Sequence, residues 1–221
     1  MGAAVLADPL LWADAGLVAR ETMKRARANV DALLEFLPAA GYRFTERRGP
    51  AFVPPEPDAH KSLQELEEGA GPVPLSLRAW WEEVGEVDLT GEHADWAYEY
   101  PDALVVAAPF DSVLGDLANW QEDQNPHEGW PHGFTVELSP DWLHKAGMSG
   151  GSAYSMVLPC PAADGPLMGE RHRTTFVGYL RIGFAAAGLP GWYLAGQADW
   201  SKPPGPPPRE LTAIASHMLP I

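Results

Sequence analysis

The chain has 221 residues, 46% of them apolar, with 30 Asp and Glu against 15 Lys and Arg and a formal net charge of −15. That length and apolar content suit one domain with a sizeable core, and the negative excess repels phosphate backbones and anionic lipid, which argues against a nucleic-acid or membrane partner. The single cysteine, Cys160, excludes an internal disulfide framework and a cysteine-built zinc knuckle, fits a reducing compartment, and reads as a small buried apolar residue.

The first positive charge is Arg20, and the residues before it contain no apolar run long enough to span a bilayer. A signal peptide or membrane anchor is therefore not expected, and the cytoplasm is the default location. Ala19, Met23, Ala26, Val30, Leu33 and Leu37 step by four and three, which predicts a long helix over Asp14–Leu37 ended by Pro38 and Gly41. On another face Arg20, Lys24 and Arg27 make a basic stripe, read as solvated or paired within the chain. The three prolines of Ala51–Asp58 predict an extended connector, and Lys61–Glu68 a short helix.

Pro74 suits a first helical turn, Leu77, Trp80, Trp81 and Val84 recur at helical spacing, and Gly85 stops the run. Val87 and Leu89 then alternate as a strand does. From Glu82 to Glu128 there are thirteen Asp and Glu and no Lys or Arg. Asp111–Gln121 reads as a helix with Val113, Leu114, Leu117 and Trp120 inward, and residues 133–138 and 153–159 read as strands joining the sheet begun near Val87. Phe176, Leu180, Gly183, Phe184 and Ala187 share a helical face, with Thr174 as cap. Lys202–Pro208 is a stiff proline-rich linker before a short amphipathic helix on Leu211, Ile214, Ala215 and Met218, free to fold back on the domain or on another subunit. Helices grouped before, between and after strands, with no βα repeat, predict an α+β fold: a central, mostly antiparallel sheet wrapped by helices. Residues 1–200 form the domain and 201–221 the linker and last helix.

Pro74, Leu77, Trp81 and Gly85 form an element that resembles the SUKH superfamily, whose cell-wall-regulator branch and bacterial relatives carry a proline, leucine, aromatic and glycine run entering a strand. Asp102–Leu114 and Thr175–Gly188 are similar to that family's proline-linked strand and helix and to its late helix, so the likeness spans roughly residues 15–192. Where the family commonly has Asn before the glycine, this chain has Val84. The resemblance implies a SUKH-like fold and a noncatalytic binding module of the immunity-protein kind, which blocks a partner toxin, often a basic nuclease.

Three motifs bear on catalysis. Gly147-Met148-Ser149-Gly150-Gly151 has the letters of a nucleophile elbow, with Asp164 and His172 following in order. An elbow needs a strand before and a helix after, whereas a helical turn precedes this one and a strand follows, so a glycine-rich connection is the better reading. His127 and His132 miss the metalloprotease spacing by one residue, and Gly129 and Pro131 would break the helix such a pair needs. Carboxylates interleave with aromatics from Trp80 to Trp130, a pattern also found in glycosidase clefts, though most of the tryptophans serve more simply as core or interface anchors.

The leading expectation is a protein-binding module without a cofactor or metal, in which Trp80, Glu83, Asp95, Trp96, Tyr98, Glu99 and Asp102 steer and anchor a basic protein partner, a toxin on the family likeness. A small-ligand sensor remains open, using His144, Ser149, Gly150, Gly151 and Tyr154 at the glycine turn, as does a carboxylate-dependent glycan-processing enzyme.

Overall fold

In the computed structural model, which describes residues 9–45, 49–96, 102–122, 133–193 and 206–221, helix α1 runs over Pro9–Ala39, longer at both ends than its apolar spacing predicts. Its inner row Met23, Ala26, Val30, Leu33 and Leu37 is fully buried. It packs along α3 (Leu75–Glu83), whose Leu77, Trp80 and Trp81 are buried in turn. Arg20 also reaches Glu82 at 3.1 Å across this contact, but Arg20 is half in water. A pair so exposed contributes at most about 1 kcal/mol, whereas each fully buried leucine contributes roughly 1.5–3 kcal/mol, so apolar packing holds the two helices together. Two of the three cations of the basic stripe are paired within the chain, Arg20 with Glu82 and Arg27 with Asp31, the latter also lying over the Phe52 ring, and the neighbouring Arg25 pairs with Glu21.

After β1 (Arg43–Phe44), β2 (Phe52–Val53) leads to α2 (Ala59–Ala70), and α3 opens through Gly85 into β3 (Glu86–Asp88) and β4 (Gly91–Glu92). Gly85 holds φ +94, and a side chain there would meet the Val53 carbonyl oxygen at 2.3 Å, so the helix-to-strand corner admits only glycine. Next come β5 (Val105–Val106), α4 (Phe110–Glu122), β6 (Phe134–Ser139), the one-turn α5 (Trp142–Lys145), β7 (Tyr154–Leu158), α6 (Phe176–Ala185), a 3₁₀ turn at Pro190–Tyr193 and α7 (Arg209–Ala215).

The fold is α+β, but its strands make three small antiparallel sheets rather than one central sheet: β1–β4, β2–β3–β5 and β6–β7. The β6–β7 hairpin does not continue the ladder at Val87; one backbone bond, from Ala107 N to the Leu138 oxygen, links it to the segment after β5. Helix α6 starts one residue later than expected, with Thr175, not Thr174, as its cap. Helix α7 folds back onto α1, burying Leu211 and Ile214, and Asn29 holds the following segment by donating to the Leu219 carbonyl and accepting from its N–H. Cys160 is half-buried against the core, and burial, then the charge of Asp164, raises its thiol pKa. No helix among the described residues is long and apolar enough to cross a membrane.

Candidate functional site

The strand alternation of β6 sends Phe134, Val136 and Leu138 into the core and leaves Thr135 and Glu137 outside, while β7 buries Tyr154, Met156 and Leu158 and turns Ser155 and Val157 to the same outer face. The register pairs Thr135 with Val157 and Glu137 with Ser155, then slips before Ser139, and such an irregularity bends a hairpin. Its outer face is the floor of an open groove of about 970 Å³. Ser112, Val113 and Asp116 of α4 line one side, and Asp141, His144, the Gly151–Ala153 backbone and the Met168–Gly169 turn complete it.

Three carboxylates line this groove and, among its described lining residues, there is no lysine or arginine. They are not equivalent. Asp141 caps α5 by accepting from Leu143 N at 2.8 Å, its second oxygen meets His144 Nδ1, and its side chain is only 3% exposed. Gly151 passes directly over it, so that a side chain at that glycine would sit 2.5 Å from Asp141 Oδ1. Asp141 is thus the fastening of the α5 turn. Asp116 and Glu137 are exposed, and no hydrogen bond or ion pair engages either among the described residues.

Lys145, the last residue of α5, turns away from the groove into the interior. Its Nζ lies 2.9 Å from Asp102 Oδ1 and 3.4 Å from the Tyr179 hydroxyl, and 4.4 Å above the Tyr154 ring. Tyr154 donates to Asp102 at 2.9 Å, and Tyr179 accepts from Val105 N at 3.1 Å. The Lys145 and Asp102 side chains are 2% and 0% exposed, so this cluster of a kind that can serve catalysis is closed to any substrate and acts as a tie between α5, α6, β7 and the chain before β5.

Burial works to lower the Lys145 pKa, but the Asp102 charge and the bonds to Asp102 and Tyr179 outweigh it and the net shift is upward. Burial, then Asp102, raises the Tyr154 pKa; burial raises that of Tyr179 against the opposing pull of Lys145; burial, then Asp88, raises that of Tyr42. All four groups hold their protons more tightly folded than unfolded. Above about pH 10 the unfolded chain releases protons that the native state keeps, so stability falls as pH rises; below that both states are protonated at these groups and they add no pH dependence. Alkaline titration should therefore show a cooperative loss of circular dichroism accompanied by late-appearing tyrosinate absorbance. Full tyrosine ionisation near pH 10 in a still-native protein would contradict this picture.

The sequence-nominated anchors do not assemble into one surface. Trp80 is 0% exposed and edge-on to Phe176, and Asp102 is sealed against Lys145, so neither can meet a partner. Trp96 is half-buried between His93 and Tyr42 at ring separations of 4.1 and 5.7 Å, Glu83 is half-buried at the end of α3, Asp95 is exposed beyond β4, and Tyr98 and Glu99 lie outside the described residues. Of the residues nominated at the glycine turn, His144 and Gly151 line the groove, Ser149 and Gly150 are exposed, and Tyr154 faces the core.

The turn runs from helix α5 to strand β7, with Gly147, Gly150 and Gly151 at positive φ, the reverse of a nucleophile elbow. Asp164 accepts from Ser76 Oγ and Val177 N, and His172 is bound to Glu170, so neither serves Ser149. His127 and His132 fall outside the described residues. Asp116, Glu137 and Ser155 were not singled out in the sequence; only the alternation of Phe134–Leu138 marks Glu137 as outward. Comparison with family models, curated proteins and solved structures found no match.

Proposed function

We propose that this protein is a noncatalytic protein-binding module for a partner with a positive surface, of the immunity-protein kind within the SUKH superfamily. The observation that carries this reading is the disposition of charge. Residues 1–50 hold seven Lys and Arg against six Asp and Glu, a net of +1, and residues 51–221 hold eight against twenty-four, a net of −16, together −15. The arginines of α1 and α3 are answered by carboxylates of the same chain: Arg20 by Glu82, Arg25 by Glu21, Arg27 by Asp31, Arg78 by Glu67. Lys145 is locked to Asp102 inside. The excess acidic charge is left to act outward, and such a field accelerates encounter with a basic protein and disfavours acidic ones.

The test is affinity capture from the source organism on the immobilised full chain at about 50 and about 300 mM salt, across which the screening length shortens about 2.5-fold. A basic protein should be held in stoichiometric amount at the lower salt, with its measured Kd at least tenfold weaker at the higher. Recovery of no stoichiometric partner, or of one whose affinity ignores salt, would count against the reading.

A further inference from the structure

Resting on that reading, we propose that the groove over the outer face of the β6–β7 hairpin is where the protein partner inserts a lysine or arginine side chain. Two independent features meet there. The first is charge complementarity: Asp116 on the α4 wall and Glu137 on the floor are exposed carboxylates without a counter-ion among the described residues, and the nearest basic residue in sequence, Lys145, is turned inward. The second is Ser155. Its side chain stands on the outer face of β7, opposite Glu137 in the ladder, and the residue is only 9% exposed, yet its hydroxyl has no hydrogen-bond partner among the described residues. That oxygen is not sealed in the interior but opens on the groove, where a ligand seated against the strand can bond to it.

The open polar side chains of the site, the Asp116 and Glu137 carboxylates and the Ser112, Thr135, Ser152 and Ser155 hydroxyls, can all accept. Lysine and arginine heads are donors only, with three and five N–H bonds respectively, so their chemistry fits a site made of acceptors. The apolar surface of Val113 and Val157 beside them suits the methylene stem of either side chain. The mouth is open rather than enclosed, which suits a side chain projecting from a protein surface better than a small molecule, whose pocket normally covers most of it.

The probe is a capped Gly-Arg-Gly-Arg-Gly peptide, with its citrulline counterpart as the uncharged control, titrated into the full-length protein and followed by backbone amide chemical shifts. Saturable shifts at Thr135, Glu137, Ser155 and Val157 are expected with the arginine peptide and not with the citrulline one. The pair Asp116→Asn and Glu137→Gln should weaken binding at least tenfold and Ser155→Ala about threefold, with Glu35→Gln, an exposed carboxylate on α1, unchanged. Ser155→Ala also separates a direct contact from bulk charge, since it leaves the net charge as it was. Shifts spread over the acidic surface, or equal losses from Glu35→Gln and from the groove pair, would overturn the groove assignment while leaving the basic-partner reading intact. Equal binding of the citrulline peptide would overturn the cation assignment. Spermidine binding as tightly as the peptide would make this a small-amine site and overturn the partner assignment. A captured basic partner that binds the groove pair variant as tightly as wild type would likewise remove the groove and keep the module, whereas recovery of no basic partner would remove the module itself.

Discussion

Asp102→Asn should lower folding stability by about 3–5 kcal/mol, the range seen when one partner of a buried ion pair is removed, although asparagine keeps nearly every other property of the site. Asp102 sits at φ +44, a left-handed conformation that asparagine tolerates better than other side chains, so the backbone is not strained by the change. The amide oxygen can still accept from Tyr154. What disappears is the negative charge facing a fully buried ammonium group.

With Asp102 gone, burial acts on Lys145 without its main opponent, and its pKa falls below the value in the unfolded chain. The unfolded state then binds the extra proton, so the variant should recover stability as pH rises toward 10, opposite to the alkaline loss expected of the wild type. Adding Lys145→Met should restore much of the loss at neutral pH, because the orphan charge goes and the volume is kept. Urea unfolding of the single and double variants at two pH values decides the matter. A loss under about 1 kcal/mol for Asp102→Asn would mean that the pair is not the closed tie described.

Gly85→Ala is the second large effect. The added carbon would lie 2.3 Å from the Val53 oxygen, 2.7 Å from the Pro54 carbonyl carbon and 2.8 Å from the Pro55 nitrogen, all backbone atoms with no rotamer to escape into. A left-handed residue other than glycine costs roughly 1–2 kcal/mol and overpacking roughly 1–3 kcal/mol, so a total of about 2–5 kcal/mol is expected. The strand pairing of Val53 with Glu86 stands next to the clash and should be the first to loosen. Gly115→Ala makes the control: in α4, with nothing within 4 Å of the new carbon, it should stabilise by about 0.5–1 kcal/mol. Thermal unfolding of both variants gives the comparison, and a Gly85→Ala protein as stable as Gly115→Ala would refute the corner geometry.

Local periodicity carried the helices and hairpin strands into view before any coordinates. Met23, Val30 and Leu37 share a face because 3.6 residues make a turn, and Glu137 points outward because strand residues alternate. Asp102 shows where this stops. Embedded in an acidic run, it reads as surface, and its burial follows from Lys145, 43 residues further on. Tyr154 reads as part of a ligand-facing turn for the same reason, since the last residues of a connection and the first of a strand are not separated by pattern alone. The groove is not legible in the sequence because Asp116, Glu137 and Ser155 converge from a helix and two strands, and no spacing along the chain encodes that meeting. The division into three sheets was equally hidden, for the joints between short strands depend on tertiary contacts such as Ala107 to Leu138.

Asn29 has an implication for the order of synthesis. Its side chain is almost wholly buried, and the two bonds that satisfy it come from Leu219, 190 residues downstream. On a translating ribosome the helix carrying Asn29 is exported long before that segment exists. During this interval a polar amide occupies a place on α1 that only later chain can complete, and Leu211 and Ile214 have yet to arrive beside it. The N-terminal helix is therefore made first but is completed among the last, and a nascent chain halted before Leu219 would present this face of α1 uncovered to chaperones.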